Sequence, residues 1–152
     1  MGVSRYLKGF LALEFLLSAA IICVLLGITF IGVDNSLRSR RDTIRRDNLH
    51  ALKIAIDISF GVDIDGVKKA GSYYAAETPV EVSSLTWLAP AYIPTIPPDP
   101  KKNGYLYQTD SEGKVFAVYA KLEDNSNTDL KSSGPFPEWK LPDGFNYWLK
   151  NN

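Results

Sequence analysis

Residues 10–33 constrain this chain more than any other stretch. Nineteen of the 24 are apolar, and a single charge, Glu14, falls among them. As a helix the run is about 36 Å long at 1.5 Å per residue, enough to cross a hydrocarbon core of about 30 Å. The other 128 residues hold 50 apolar ones, an ordinary globular proportion. A membrane-inserting segment is therefore joined to a water-soluble domain, which excludes a simple cytosolic globule. Residues 1–9 are short and basic, with Arg5 and Lys8. A conventional secretory signal has a shorter apolar region, about 7–15 residues, ending at small residues. Ser18-Ala19-Ala20 imitates such a site, but a cut there leaves residues 21–33 as a new apolar terminus.

Glu14 is the feature a plain membrane anchor does not explain. A carboxylate inside an apolar span is costly unless it is paired, neutral or near the interface. On its C-terminal side no Lys, Arg or His occurs before Arg38, and Lys8 precedes it by six residues. That spacing is too long for a good helix-surface pair, which needs three or four. Two readings follow: the carboxylate stays at headgroup level, or its partner comes from another molecule.

The segment Lys8-Gly9-Phe10-Leu11-Ala12-Leu13-Glu14-Phe15-Leu16-Leu17 resembles the N-terminal signature of type IV pilins and type II secretion pseudopilins. The resemblance implies a basic leader, residues 1–9, removed by a prepilin peptidase after Gly9. It implies that Phe10 becomes an N-methylated terminus and that Glu14, fifth in the mature chain, is the assembly glutamate. Two departures from the family pattern, Leu11 in place of the frequent Thr and no proline in the span, leave the cleavage junction intact. Gly27 and Gly32 supply the conformational freedom instead.

Simple electrostatics fits that signature. A cut after Gly9 creates a positive α-amine at Phe10. In a stack of identical helices the amine can approach a neighbour's Glu14 and neutralise a charge that lipid penalises. The implied partners are other copies or related pilin subunits, the prepilin peptidase, an inner-membrane assembly platform, and membrane lipid before assembly. The implied location is single-pass in the inner membrane with the C-terminal domain outside the cytoplasm, then in a filament at the cell surface. One count runs the other way. Arg38, Arg40, Arg41, Arg45 and Arg46 follow the span against Arg5 and Lys8 before it, which by flanking charge would keep the C-terminal side in the cytoplasm. Large domains translocate largely regardless of flanking charge, so the motif takes precedence.

Residues 34–60 continue the span as an amphipathic helix. Ile44, Leu52, Ile56 and Phe60 recur at four- or eight-residue intervals, with Leu49 and Leu37 near the same stripe. Arg41, Asp42, Arg45, Arg46 and Asp57 are expected on the other, solvated faces, with His50 an ordinary helix residue. Residues 61–152 form the globular domain. Gly61, Gly66 and Gly71 end the helix, and Asp63 and Asp65 between them lack the rest of a calcium loop. Six prolines between 72 and 100 predict mostly loop. A helical turn capped by Ser is expected at Ser83–Leu88, and Pro94 to Pro100 an extended strap across the domain. Tyr105–Thr109 and Lys114–Leu122 read as strands joined by the turn Asp110-Ser111-Glu112-Gly113. Phe116, Val118, Ala120 and Leu122 should face the helix. Pro98-Asp99-Pro100, Gly104-Tyr105 and these strands also resemble the C-terminal part of pseudopilin-like proteins. The fold class is therefore α+β, a long N-terminal helix on a small antiparallel sheet, pilin-like.

The rest of the chain narrows the function by exclusion. There is no nucleophile with a base, no phosphate loop and only one His, so no enzyme activity and no cofactor are expected. With one cysteine, Cys23, an intrachain disulfide is impossible, and a structural zinc site is implausible. Residues 61–152 carry 9 basic against 12 acidic side chains, which argues against nucleic-acid binding. Glu123, Asp124, Asn125, Asn127 and Asp129 offer oxygen ligands, as in the calcium loop of major pseudopilins, but without fixed spacing they read as a solvated loop. Trp139, Phe145, Tyr147 and Trp148 should complete the core or a last strand. The expected function is a structural filament subunit. The alternative is an uncleaved single-pass membrane protein displaying a small extracytoplasmic binding domain.

Overall fold

A computed structural model describes residues 3–60, 71–124 and 128–151, with the side chains of 3–12, 30 and 31 outside the description. One helix, α1 (Val3–Ser59), runs through Gly9 and Phe10 without a break. The chain divides into two compact units, Met1–Arg38 and Ser39–Asn152. The first unit contains only α1 among its described residues.

The second unit is α+β. Its sheet has four strands, β1 (Val80–Glu81), β2 (Leu106–Thr109), β3 (Phe116–Ala120) and β4 (Tyr147–Lys150), in spatial order β1-β2-β3-β4. Every neighbouring pair is antiparallel. Thr109 pairs with Phe116 across the first hairpin, so the turn falls where Asp110-Ser111-Glu112-Gly113 predicts it. Asp110 Oδ1 accepts the amides of Lys114 and Val115 at 2.6 and 3.0 Å, and Gly113 adopts φ +64°. A side chain at Gly113 would also collide, because its Cβ would lie 2.8 Å from the Tyr73 carbonyl oxygen.

The core forms where α1 meets the sheet. Leu49, Leu52 and Ile56 are fully buried and pack with Tyr107, Phe116, Val118, Ala120 and Leu122 in one cluster. The expected inward face of β3 is thus present. Ala117 and Tyr119, which alternate with it, are buried as well, as suits a central strand. Tyr147 brings β4 into the same cluster, so the aromatic tail does supply a last strand.

Three expectations need correction. Ile44 and Leu37 are 38% and 47% exposed and lie off the core stripe. The true buried stripe is Asp42, Arg45, Leu49, Leu52, Ile56 and Ser59, spaced 3-4-3-4-3. The turn after β1 is a 3-10 turn, Val82–Ser84, preceded by Glu81 and lacking a side-chain cap. Ser84 Oγ instead donates to the Glu81 carbonyl at 2.7 Å. Strand β1 itself was not expected; it is two residues long beside Pro79 and owes its shape to pairing with Leu106 and Tyr107.

Candidate functional site

The first unit presents an uncovered apolar helix. Leu13, Phe15, Leu16, Leu17, Ile21 and Ile22 are each more than half exposed. The helix is long and apolar enough to cross a membrane. The hydroxyls of Ser18 and Thr29 are bonded within the helix, Ser18 Oγ donating to the Glu14 carbonyl at 2.9 Å and Thr29 Oγ1 to the Leu25 carbonyl at 2.8 Å. Gly27 and Gly32 have open space around them. Glu14 differs from these: its exposed carboxylate has no ion pair and no hydrogen bond among the described residues. Gly9 and Phe10 lie on the same helical backbone, five and four residues before it, with side chains outside the description.

The second unit holds a cluster that the sequence reading missed. Arg45 is completely buried. Its Nε donates to Asp99 Oδ2 at 2.6 Å, and its Nη1 donates to Asp42 Oδ1 at 2.7 Å and to Glu123 Oε1 at 2.8 Å. Arg41 grips Glu123 with both arms of its guanidinium, at 2.8 and 2.6 Å, and Lys101 Nζ adds a third cation at 2.9 Å. Asp42 accepts the backbone amides of Glu123 and Asp124. Asp99 accepts those of Lys101 and Asn103. Two loops distant in sequence are thereby tied to one turn of α1. The proline strap lies against the same helix, with Asn48 Nδ2 donating to the Pro98 carbonyl at 3.3 Å and to Tyr105 Oη at 2.8 Å.

Electrostatics follows from this packing. The Arg41 guanidinium, aided by Lys101 and Arg45, holds Glu123 far below the usual carboxylate range despite partial burial. Burial alone would raise Asp99, but Arg45 and two backbone amides lower it on balance. Burial likewise works against the charge on Arg45, and hydrogen bonds to Asp99, Glu123 and Asp42 outweigh it. Glu123, Asp99 and Arg45 are thus held in their charged forms, and the cluster acts as a structural clamp.

This overturns the expected solvated face for Arg45 and Asp42. The signal was available: both continue the 3-4 spacing of Leu49, Leu52 and Ile56 toward the N-terminus. Glu123 belongs to the clamp rather than to a solvated loop. Asp129 lies 3.6 Å from Arg46, while Asn125, Asn127, Asp63 and Asp65 fall outside the described residues. His50 is exposed on the helix. Trp139 packs edge-on against Phe136 at 4.9 Å, and Trp148 Nε1 donates to the Ser133 carbonyl at 3.0 Å. No protein-family profile, curated protein or solved structure matches the chain.

Proposed function

We infer that this chain is a structural subunit of a type IV pilus or type II secretion-like filament. A prepilin peptidase removes residues 1–9 after Gly9, Phe10 is N-methylated, and the subunit waits in the inner membrane with its sheet domain outside the cytoplasm. The observation that carries this reading is the apolar helix with no cover of its own and one carboxylate, Glu14, without a partner among the described residues. A neighbour's Phe10 amine meets that need. The penalty of the lone carboxylate in lipid is then relieved only in the assembled register, which favours extraction of subunits from the membrane into a filament.

Flanking charge runs against the outward orientation, but most of the arginines after the span are engaged by carboxylates of the chain. Arg38 is paired with Asp34 at 2.6 Å, Arg41 with Glu123, and Arg45 is sealed in the clamp. With Arg46 lying 3.6 Å from Asp129, four of the five cations are beside carboxylates of the same chain, and three of these four belong to the folded domain. A domain of this size translocates largely regardless of such charge.

Glu14→Gln tests the reading. The variant removes the charge and keeps the shape, so membrane insertion should be unchanged and filament yield should collapse. Wild-type filament yield from Glu14→Gln subunits would sink it.

A further inference from the structure

The two edges of the sheet are not alike. Strand β1 is two residues long, and Pro79 beside it has no N–H to offer. Strand β4 has four residues, and its register with β3 fixes which main-chain groups it leaves over. Asn151 N–H donates to the Phe116 carbonyl at 3.3 Å. Bonded positions alternate in an antiparallel ladder, so Leu149 and Tyr147, opposite Val118 and Ala120, also turn their main chain to β3. Trp148 and Lys150 turn theirs outward. The carbonyl of Asn146, next in that series, is taken by Lys131 N–H at 2.8 Å. The main-chain N–H and C=O of Trp148 and of Lys150 have no partner among the described residues.

Edge strands are commonly guarded by a lysine. Here Lys150 is held off the edge, over the outer face of the sheet. Its Nζ donates to the Pro135 carbonyl at 3.3 Å and lies 4.6 Å from the centre of the Phe136 ring. Trp148 is pinned in the same way, through Nε1 to the Ser133 carbonyl. A groove of about 360 Å³ is left along the strand, bounded by Asp129, Lys131 and residues 147–150. Its charge is positive. Asp129 is balanced by Arg46 at 3.6 Å, whereas Lys131 and Lys150 have no carboxylate partner among the described residues. Lys131 Nζ sits 5.7 Å from the centre of the Trp148 ring. The two faces of β4 also differ: Tyr147 and Leu149 pack toward the core cluster, so Trp148 and Lys150 share the opposite, basic side.

We propose that the outer edge of β4 binds a short, extended, acidic peptide segment of a partner protein, which adds to the sheet as a further strand. The free main-chain groups of Trp148 and Lys150 supply the ladder bonds, and alternate side chains of the segment are read on opposite faces. Residues opposite Trp148 and Lys150 fall on the lysine side and are acidic. The residue between them falls on the Leu149 side and is apolar. A folded partner or a second copy does not suit the groove, since a stable protein–protein interface engages about 20–30 residues a side and six line this one. The site uses the sheet-bearing unit alone, so it does not depend on removal of the leader or on filament formation.

Titration of the full chain, in an uncharged detergent, with the peptide acetyl-Val-Glu-Val-Glu-Val-amide tests this, read at single amides by nuclear magnetic resonance. In the free chain the Trp148 and Lys150 amides should exchange with solvent about tenfold faster than those of Tyr147 and Leu149. Saturating peptide should slow those two by about the same factor. The peptide with Lys in place of Glu should bind several-fold more weakly, and Lys131→Glu should erase most of that preference. Methyl groups on the two Glu amide nitrogens, which would face β4, should abolish binding. Slow exchange at Trp148 and Lys150 before any peptide is added would mean that the chain itself or a second copy already covers the edge, and would overturn the proposal. So would a lack of saturable binding, equal binding of the N-methylated peptide, or a charge preference indifferent to Lys131→Glu.

Discussion

Replacing Arg45 by Met is the sharpest perturbation of the fold. The aliphatic part of the side chain is kept and the guanidinium is lost. Asp42 and Asp99, whose side chains are each 1% exposed, then lose their shared cation. Removing one member of a buried ion pair costs about 3–5 kcal/mol, because the charge left behind stays desolvated. Both carboxylates keep backbone donors, Asp42 from Glu123 and Asp124 and Asp99 from Lys101 and Asn103. Glu123 keeps Arg41 and Lys101. The loss should therefore fall at the lower end, about 3 kcal/mol. For a domain of this size about 4 °C of Tm accompanies each kcal/mol, so the midpoint should drop by roughly 12 °C. Thermal unfolding of the detergent-solubilised chain, followed by near-ultraviolet circular dichroism, reads this directly. A loss below about 1 kcal/mol would mean that the cluster behaves like ordinary surface pairs and would refute the clamp.

Other consequences can be checked alongside. Glu123 and Asp99 are depressed by their cations, so their contribution is complete above their unfolded values near about 4 and is lost as pH falls below them. Stability should be level from neutral pH down to about 5, decline below about 4, and decline less steeply in Glu123→Gln. Leu52→Ala removes a fully buried side chain from the helix–sheet core and should cost about 2–5 kcal/mol by denaturant titration. Gly113→Ala should destabilise the domain in the same titration, since it places a side chain at φ +64° against the Tyr73 carbonyl. Burial, with Asp57 alongside, pushes the Tyr73 hydroxyl up to about 12. Its tyrosinate absorbance should therefore appear later in an alkaline titration than that of an exposed tyrosine, and Tyr73→Phe should reduce the late absorbance, which the buried Tyr105, Tyr107, Tyr119 and Tyr147 share.

The parts of the fold that were legible in sequence are those set by local patterns. The turn at 110–113 announces itself through Asp and Gly at positions where a side-chain acceptor and a positive φ are needed. The alternation along Phe116–Ala120 assigns a core face because strand side chains repeat every two residues. Leu49, Leu52 and Ile56 were found by helical spacing. What stayed hidden depends on contacts distant in sequence. Arg45 reads as a surface residue until Asp99 and Glu123, 54 and 78 positions away, arrive to neutralise it. Charge was read as exposure, although Asp42 and Arg45 sit on the same 3-4 stripe as the buried leucines. Ile44 was misplaced by the converse error, apolar character taken as burial. It faces outward with Ile54 and Ile58. The N-terminal signature is different in kind: Gly9, Phe10 and Glu14 are legible as a motif, and their meaning lies in what happens to the chain after synthesis.

Mass spectrometry of the native N-terminus tests the central claim most directly. Cleavage after Gly9 gives a mature chain that begins at Phe10, nine residues shorter than the sequence and heavier by one methyl group on its α-amine. An intact terminus at Met1, in protein taken from the membrane of its own cell, would contradict it and leave an anchored single-pass protein in its place.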